Sequence, residues 1–395
     1  MFKVDDIRKF EDVIIGFRRD FHMHPELGFE ETRTSKIVED ALYSWGLEVE
    51  TGIGKTGVIG ILRGQENGKT VALRADMDAL PLHEENEDIT YKSTFDGKMH
   101  ACGHDAHTAM LLGAAKVLSE NKDKVQGTVK FIFQPAEEGP APGGGSQVVA
   151  SGALDDVDAT FALHVGPGKV GHLSIHAREA SAATDYFEIK VIGKGGHGAG
   201  AHMTIDPIVV ASQVVCNLQS IVSREIDATE SAVISIGSIH GGEAFNVIPE
   251  HVTLIGTVRT LNEEIREKVF ERMDAFVNGI TSTYGATYEL TRGKGYPSLT
   301  NDESIVETLK ALNVDLLGAD KVEIQKKPLM GGEDFAYYTQ TVPGAIAWLG
   351  SANESKGIMA IPHNPKFDID EDCLAIGTCI HANFALKVLN QKEGE

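Results

Sequence analysis

The sequence DAHTAMLLGAAKVLSENKDKVQGTVKFIFQPAEE, residues 105–138, indicates the fold class more directly than any other part of the chain. Residues 105–119 are rich in Ala and Leu, which are strong helix formers, and predict a helix. Residues 128–134 (TVKFIFQ) form a short apolar run that predicts a buried strand. A helix followed by a buried strand is the unit of an α/β layer.

The same alternation continues on both sides of this stretch. Further strands are predicted at 57–63 (GVIGILR), 70–76 (TVALRAD), 159–165 and 345–350, and a last helix at 371–390. Strands that alternate with helices indicate a central sheet flanked by helices. The fold class expected for these parts of the chain is therefore α/β.

The middle of the chain has a different pattern. Alternating apolar residues predict strands, and apolar residues at helical spacing predict two amphipathic helices. In order, these elements are predicted at 184–193, 208–222, 231–239, 250–260, 265–280 and 286–291. The order β-α-β-β-α-β is that of the ferredoxin-like motif. We therefore predict a domain inserted at 184–292 into an α/β domain formed by residues 1–183 and 293–395.

Length, charge and composition limit the number of domains, the kinds of binding partner and the location of the protein. A chain of 395 residues exceeds one comfortable core and predicts two domains. The net charge of −22 argues against nucleic acid or an anionic membrane as partner. The four cysteines form no compact framework, the first residues do not resemble a signal peptide, and no run of 18 apolar residues occurs. A cytoplasmic location is expected.

Acidic and histidine side chains follow three of the predicted strands. Asp76 and Asp78 come after one, Glu137 and Glu138 after the next, and His164 lies at the end of a third. In open α/β sheets, ligands bind beyond the carboxyl ends of the strands. Asp76 and Asp78 are expected to orient a metal ligand or, alternatively, to cap their strand.

The segment MHACGHDAH (99–107) supplies Cys102 and His104 on either side of Gly103, together with Asp105 and His107. Thiolate and imidazole are ligands that borderline-soft divalent metals prefer. The glycine would let both side chains reach one ion. The alternative is a structural role, which isolated Cys and His residues commonly have.

The pair Glu137–Glu138 follows Pro135, and His363 lies in IPHNPKFDIDE near a helix start. In a loop, one glutamate can bind a metal while the other acts as base for a water that the metal activates. The alternatives are a solvated acidic pair and a structural histidine. Mixed carboxylate, imidazole and thiolate ligands are typical of an open catalytic site rather than a closed structural one.

The chain as a whole resembles the N-acyl-amino-acid amidohydrolases, the branch with hippurate hydrolases and auxin–amino-acid conjugate hydrolases, related to aminoacylases and zinc carboxypeptidases. The resemblance rests on ordered motifs along nearly the whole chain. They are RRDFHMHPELGFEE (18–31), LRADMDALP (73–81), MHACGHDAHTAML (99–111), FQPAEEG (133–139), ALHV (162–165), GKGGHGA (193–199), NVIP (246–249), GTVRT (256–260), GGEDFAYY (331–338) and PHNPKFDIDE (362–371).

The resemblance implies a metallopeptidase-like catalytic domain with an inserted lid domain through which the chain forms a homodimer. It implies a site of two divalent metals, zinc or manganese, with cobalt or nickel also compatible. Glu137 would be the general base and acid, and His197 of the lid would polarise the scissile carbonyl. Asn246 and Arg259 would contact substrate. The implied metal ligands are Cys102, His104, Glu138, His164 and His363.

The expected activity is hydrolysis of the amide bond of N-acyl-L-amino acids, with an acetyl, benzoyl or similar acyl group. Two alternatives stay open: a dipeptidase or aminopeptidase on the same metals, and a non-catalytic metal- or ligand-binding protein. The sequence departs from the family pattern at Gly200–His202, where a Pro-His pair is usual, and in the Gly-rich stretch 139–147, whose first part, 139–145, is predicted to be a loop.

Overall fold

The structure is a computed structural model and describes residues 1–391. These residues contain ten α-helices, numbered in chain order. They are α1 (Val4–Arg8), α2 (Glu11–Met23), α3 (Thr32–Ser44), α4 (His104–Ser119), α5 (Gly143–Ala150), α6 (Pro207–Ser220), α7 (Glu263–Tyr284), α8 (Glu303–Leu317), α9 (Ala336–Thr339) and α10 (Asp372–Leu389).

Sixteen β-strands are present in the same described range. They are β1 (Glu48–Ile53), β2 (Gly57–Arg63), β3 (Gln65–Asp76), β4 (Gln126–Gln134), β5 (Ala159–Lys169), β6 (Leu173–His176), β7 (Glu179–Ser181), β8 (Ala183–Ile192), β9 (Gly196–His197), β10 (Ala232–His240), β11 (Val247–Ile248), β12 (His251–Thr260), β13 (Thr287–Gly293), β14 (Leu299–Thr300), β15 (Val322–Gln325) and β16 (Gly344–Ala352).

The chain divides into two compact units. Unit 2 consists of Ser181–Leu299 together with Leu329–Glu333, and unit 1 contains the rest of the described chain. The insert predicted at 184–292 lies inside unit 2. Unit 2 begins three residues before the predicted insert, its first segment ends seven residues after it, and the short segment 329–333 also belongs to this unit.

Unit 1 is built on an eight-stranded mixed sheet with the order β1-β2-β4-β3-β5-β16-β6-β15. Its central strands β4, β3, β5 and β16 run parallel, while β1 and β2 pair antiparallel at one edge. The predicted α/β class with a helix-flanked central sheet is confirmed. Because parallel neighbours end at the same edge of a sheet, the residues after β3 and β4 are brought to one side. The β3–β5 register places the end of β3 beside the middle of β5, which continues to Lys169.

Two helices fill the core of unit 1. Helices α4 and α10 pack against each other, and nearly every residue of both is buried. By length and hydropathy α10 would suffice to cross a membrane, but 83% of it is buried inside the protein. A helix that is apolar on all sides is expected in such a central position.

Unit 2 contains a four-stranded antiparallel sheet with the order β10-β12-β8-β13. Apart from the two-stranded ribbon of β9 and β11, the elements β8, α6, β10, β12, α7 and β13 follow one another along the chain as β-α-β-β-α-β. Phe187, Ile189 and Val191 of β8 are buried in a core that both helices share. The predicted element order is therefore present in this unit.

The predicted loop 139–145 is wrong in its second half, since α5 begins at Gly143. A Cβ atom on Gly144 would lie 1.9 Å from the carbonyl oxygen of Pro135, and one on Gly145 would lie 2.7 Å from that of Asp334. The helix starts here because glycine permits both close approaches. Glycine's weak intrinsic helix propensity, which favours a loop, is overridden by this packing.

Candidate metal centre

The site begins at the N-terminus of α4, where Gly103 adopts the left-handed conformation with φ +87°. A Cβ atom at this position would lie 2.3 Å from Cγ2 of Val165. Only glycine fits both the backbone angle and the space. The turn that it makes brings Cys102 and His104 to the same place, and both side chains are buried.

Cys102 lies against the middle of β5, because this strand continues to Lys169, beyond the end predicted at residue 165. Its Sγ atom is 3.5 Å from Nε2 of His164. The Nδ1 atom of His164 is 2.6 Å from the carbonyl oxygen of Val165, to which it donates a hydrogen bond. That bond fixes the tautomer and leaves Nε2 with its lone pair directed at the site, as metal-binding histidines require.

Cys102 also lies beside a second pair of side chains. Nε2 of His363 is 3.0 Å from Oε1 of Glu138, and ligand atoms of these two residues lie within 4.8 Å of each other and of Cys102. A separate group of the same kind contains Cys102, His104 and His164. The sulfur is therefore shared by two sets of potential metal ligands.

The Glu137–Glu138 turn after β4 is held by Asp78. The two oxygens of Asp78 accept the backbone N–H groups of Glu137 at 2.9 Å and of Glu138 at 2.8 Å. Ala136 has a positive φ of 52°, a strained angle for a non-glycine residue. Asp78 thus compensates strain in the turn that aims both glutamates.

His104 occupies the centre of this arrangement. Its Nδ1 atom is 3.3 Å from Oδ1 of Asp78, and its Nε2 atom is 3.9 Å from Oε2 of Glu137. Within residues 1–391, Nε2 of His104 is a fully buried atom with no hydrogen-bond partner. A buried imidazole nitrogen among thiol, carboxylate and imidazole groups fits a divalent metal ion.

Asp76 lies behind these residues in a buried network. It is 2.6 Å from both Nη1 of Arg74 and Nδ1 of His107. Burial disfavours the charged form of Asp76, but Arg74, His104 and His107 outweigh it and hold its pKa well below the usual range. Nε2 of His107 accepts the Val165 N–H at 2.8 Å, so both of its nitrogens are engaged. His107 is therefore a support for β5 rather than a free ligand.

The electrostatics of the site favour positive charge. Hydrogen bonding to Cys102, and then to Glu138, raises the pKa of His363 to about 10. Burial opposes protonation of His104, but Asp76, Cys102 and Asp78 outweigh it and raise its pKa well above normal. Burial likewise opposes ionisation of Glu138, yet His363 and His104 lower its pKa. Divalent cations would satisfy this demand.

Sequence reasoning gave no role to two further residues of unit 1. Glu31 accepts the Ala136 N–H at 2.9 Å and the Thr56 hydroxyl at 2.6 Å, and burial raises its pKa to about 7. Asp334 accepts Nη2 of Arg74 at 2.8 Å. Both lie in motifs that carry the family resemblance, which is the only sequence signal for them.

The remaining predicted site residues lie in unit 2. His197 is exposed on β9, which pairs with β11, and the carbonyl of Asn246 accepts the Gly198 N–H at 2.8 Å. Arg259 is half-buried, and its Nη1 donates to the carbonyls of Val258 and Asp185 at 3.1 and 3.3 Å. His197 and Asn246 are thus neighbours on one ribbon, while Arg259 is engaged with backbone in the sheet.

Comparison with known proteins identifies a family. The family described as Peptidase family M20/M25/M40 matches residues 72–387. A solved structure of Bacillus subtilis YXEP protein, titled a dinuclear metal binding peptidase from the M20 family, has a TM-score of 0.84 and 36% identity. The match covers 98% of this chain and 100% of that one.

Three curated relatives match over nearly the full length. Thermostable carboxypeptidase 1 of Saccharolobus solfataricus is 41% identical over 98% of both chains. IAA-amino acid hydrolase ILR1-like 4 of Arabidopsis thaliana is 41% identical over 96% of this chain and 86% of its own. N-acetylcysteine deacetylase of Bacillus subtilis is 39% identical over 97% of this chain and 98% of its own.

Proposed function

The chain belongs to the M20/M25/M40 peptidase family, and from this premise we propose that it is a metal-dependent amidohydrolase that cleaves N-acyl-L-amino acids. The observation that carries the proposal is the pair of ligand groups that share Cys102, one with His104 and His164 and one with Glu138 and His363. Glu137 lies beside them with its carboxyl group near His104. Such a set of mixed ligands with an adjacent carboxylate is suited to hydrolysis.

The five ligands proposed from the sequence are the residues that would hold two divalent ions, with zinc or manganese as the proposed metals. Bound there, the ions would polarise the scissile carbonyl and acidify a water molecule. Glu137 would take the proton of the attacking water and deliver it to the leaving nitrogen. Asp78 orients His104 and fixes the turn of both glutamates, so it positions base and ligand together.

His197 is proposed to stabilise the oxyanion. Its Nδ1 atom accepts the Ala199 N–H at 3.1 Å, so in the neutral ring the proton is on Nε2. That leaves an N–H donor on an exposed side chain, which is what polarising a carbonyl requires. Unit 2 would act as a lid that brings this donor to the substrate, with Asn246 beside it as a substrate contact.

The names of the three relatives indicate the same kind of scissile bond. A carboxypeptidase, an IAA-amino acid hydrolase and an N-acetylcysteine deacetylase all act on an amide whose nitrogen belongs to an amino acid. In the carboxypeptidase that amino acid is the terminal one with a free carboxylate. We infer the same requirement here, which favours N-acyl amino acids over aminopeptidase substrates. Arg259 is only a weak candidate for contact with the substrate carboxylate, because its Nη1 already donates hydrogen bonds to backbone carbonyls.

The assembly proposed is a homodimer through unit 2, and the location proposed is the cytoplasm. Support for the dimer comes from β10, an edge strand of the unit 2 sheet. Ile239 of this strand and Val209 of α6 are 53% and 46% exposed. Exposed apolar side chains beside an open strand edge favour pairing with another chain.

The test is release of free amino acid from a panel of N-acetyl, N-benzoyl and N-indoleacetyl amino acids, dipeptides and amino-acid amides. The enzyme is assayed as purified, after chelation, and after zinc, manganese or cobalt is restored. Metal-restored cleavage of N-acyl amino acids is expected. Cleavage confined to substrates with a free amino group would replace the proposal with an aminopeptidase, and no cleavage by metal-loaded protein would favour a binding protein.

A further inference from the structure

We propose that Arg18 is a positioning residue that ties the two ends of the candidate metal centre together. The inference rests on the proposed metal site and adds to it a residue of α2 that is remote from the ligands in sequence. It concerns the relative placement of His104, at the start of α4, and His363, in the segment that leads to α10. Neither residue contacts Arg18 itself.

Arg18 is buried, with 1% of its side chain exposed, and it meets three carboxylates. Its Nε donates to Oδ2 of Asp105 at 3.0 Å, its Nη2 to Oδ1 of Asp368 at 2.6 Å, and its Nη1 to Oε1 of Glu371 at 3.3 Å. Each nitrogen of the guanidinium thus has a different partner. Lysine has the charge but not this planar, three-way geometry.

The partners of Arg18 belong to the two segments that carry metal ligands. Asp105 directly follows His104 in the first turn of α4. Asp368 and Glu371 follow His363 in the segment 363–371, which ends where α10 begins. The contacts span 87 residues on one side and 350 and 353 on the other. Arg18 is therefore a direct link between two parts of the site that are distant in the chain.

His363 needs such a link more than the other ligands do. Its side chain is 56% exposed, and its backbone has a positive φ of 66°. A non-glycine residue keeps this conformation only where its surroundings impose it. Its own anchor is the hydrogen bond from its N–H to the Ala101 carbonyl at 2.7 Å. Asp368, five residues on, is held by Arg18 and by the hydroxyl of Tyr91 at 2.9 Å.

Other groups orient Arg18 and its first partner. Tyr91 lies under the guanidinium at 4.5 Å from the ring centre. Nδ1 of His22 is 2.7 Å from the same Asp105 oxygen that Arg18 contacts, and Nε2 of His22 is 3.2 Å from Glu84. A buried charge network of this kind is costly unless all its members are matched. Here this network holds α2, α4 and the segment 363–371 in fixed positions relative to one another.

The experiment compares metal binding by the full-length protein and three variants. Chelated protein is titrated calorimetrically with Mn²⁺ or Zn²⁺ alone, and bound metal is counted by mass spectrometry. Arg18→Lys removes the three-way contact, and Asp368→Asn weakens only the link to the His363 segment. Arg266→Lys is the matched control, because Arg266 is equally buried and paired with Asp185 at 2.7 Å in unit 2.

For Arg18→Lys we expect one of the two ions to bind about 10- to 100-fold more weakly, the usual effect of losing a residue that orients ligands. Asp368→Asn should weaken the binding of the same ion. If Arg18→Lys does not fold, the affinities of Asp368→Asn test the positioning role. Arg266→Lys should lower the melting temperature and leave both affinities unchanged.

Unchanged affinities for both ions in Arg18→Lys and Asp368→Asn, with only a loss of stability like that of Arg266→Lys, would overturn the positioning role. A wild-type protein that binds no metal after chelation and refilling would instead overturn the proposed function, and with it this inference. The two failures are therefore distinguishable in one set of titrations.

Discussion

Glu137 and Glu138 are neighbours in sequence, but their surroundings differ. Oε1 of Glu138 is 3.0 Å from His363, and its carboxylate belongs to the ligand group that includes Cys102. Glu137 lies 3.9 Å from His104 and forms a further group with His104 and Glu138, but it is absent from both groups that share Cys102. The Asp78 carboxylate accepts both backbone N–H groups, so the backbone of the two residues is held in the same way. The two surroundings differ because the side chains point in different directions.

Replacing Glu137 with Gln should therefore separate catalysis from metal binding. We expect kcat to fall by about 10²- to 10⁴-fold, the usual contribution of a general base, while two equivalents of metal stay bound. Glu138→Gln should instead reduce the metal content. Metal analysis beside steady-state kinetics measures both effects, and equal loss of metal in Glu137→Gln would contradict its role as base.

His381 offers a prediction that involves none of the proposed metal ligands. It is fully buried in α10, its ring centre is 5.2 Å from that of Phe161, and neither ring nitrogen has a hydrogen-bond partner within residues 1–391. Burial, followed by repulsion from His107, lowers its pKa to about 3. Because the unfolded chain binds this proton near pH 6.5, the neutral ring costs stability as pH falls below that value.

His381→Leu should remove this acid sensitivity. Between pH 7.5 and pH 4.5 the variant should lose about 2–3 kcal/mol less free energy of unfolding than the wild type. Urea unfolding at the two pH values measures the difference. The exposed His202→Gln serves as control and should follow the wild type, and equal acid losses in His381→Leu and wild type would contradict the account.

Much of the element pattern followed from the sequence, for identifiable reasons. Residues 128–134 form a continuous apolar run, and they lie within β4 as predicted. The helix predicted at 105–119 is α4, because its Ala- and Leu-rich composition agrees with its place in the core. The glycines at 143–145 misled the prediction, since their packing against Pro135 and Asp334 depends on contacts that local sequence does not reveal.

The site shows the same division. Asp76, Glu137 and His164 could be predicted to lie on one side of the sheet because each lies near the end of a predicted strand, and parallel strands end together. For His164 the predicted strand end was wrong, since β5 continues to Lys169. Arg18 and Asp368 were not found, because their contact joins residues 350 positions apart. The positive φ of His363 also has no local sequence signal such as a glycine. Long-range polar contacts and imposed backbone strain are visible only in three dimensions.

The turn at Gly103 provides a test at the level of an element. An alanine there would have the unfavourable φ of +87° and would clash with Val165 in the middle of β5. Gly103→Ala should cost about 2–5 kcal/mol, the sum of left-handed strain and overpacking, and should lower metal affinity. Chemical denaturation and metal titration measure the two effects.

Gly46→Ala is the control for this prediction. Its φ of +79° is similar, but within the described part of the chain, its two sequence neighbours aside, no atom lies within 4 Å of the added Cβ. It should cost only the backbone strain, about 1–2 kcal/mol, and leave metal binding unchanged. Equal effects of the two substitutions would show that the contact with Val165 contributes nothing.

For the whole molecule, the residues proposed to act in catalysis are distributed over both units, and this provides a test of the proposed dimer. The proposed metal ligands and base belong to unit 1, whereas His197 and Asn246 belong to unit 2. If His197 acts on the substrate of a second copy in the proposed homodimer, dissociation to monomers should abolish turnover while the metal ligands stay intact. A substitution that prevents dimer formation would then lower turnover without lowering the metal content.

Ile239→Lys, on edge strand β10, is the substitution that tests this. Ile239 is 53% exposed in the single chain, so a lysine there is tolerated by the fold but disfavours burial in an interface. We expect a monomer in analytical ultracentrifugation, full metal content, and kcat reduced by about 10²- to 10³-fold through loss of the His197 donor. Tyr284→Lys, at the end of α7 and 45% exposed, should remain dimeric and active. A monomeric Ile239→Lys enzyme with wild-type kcat would show that His197 acts within its own chain, whereas a dimeric one would place the interface elsewhere.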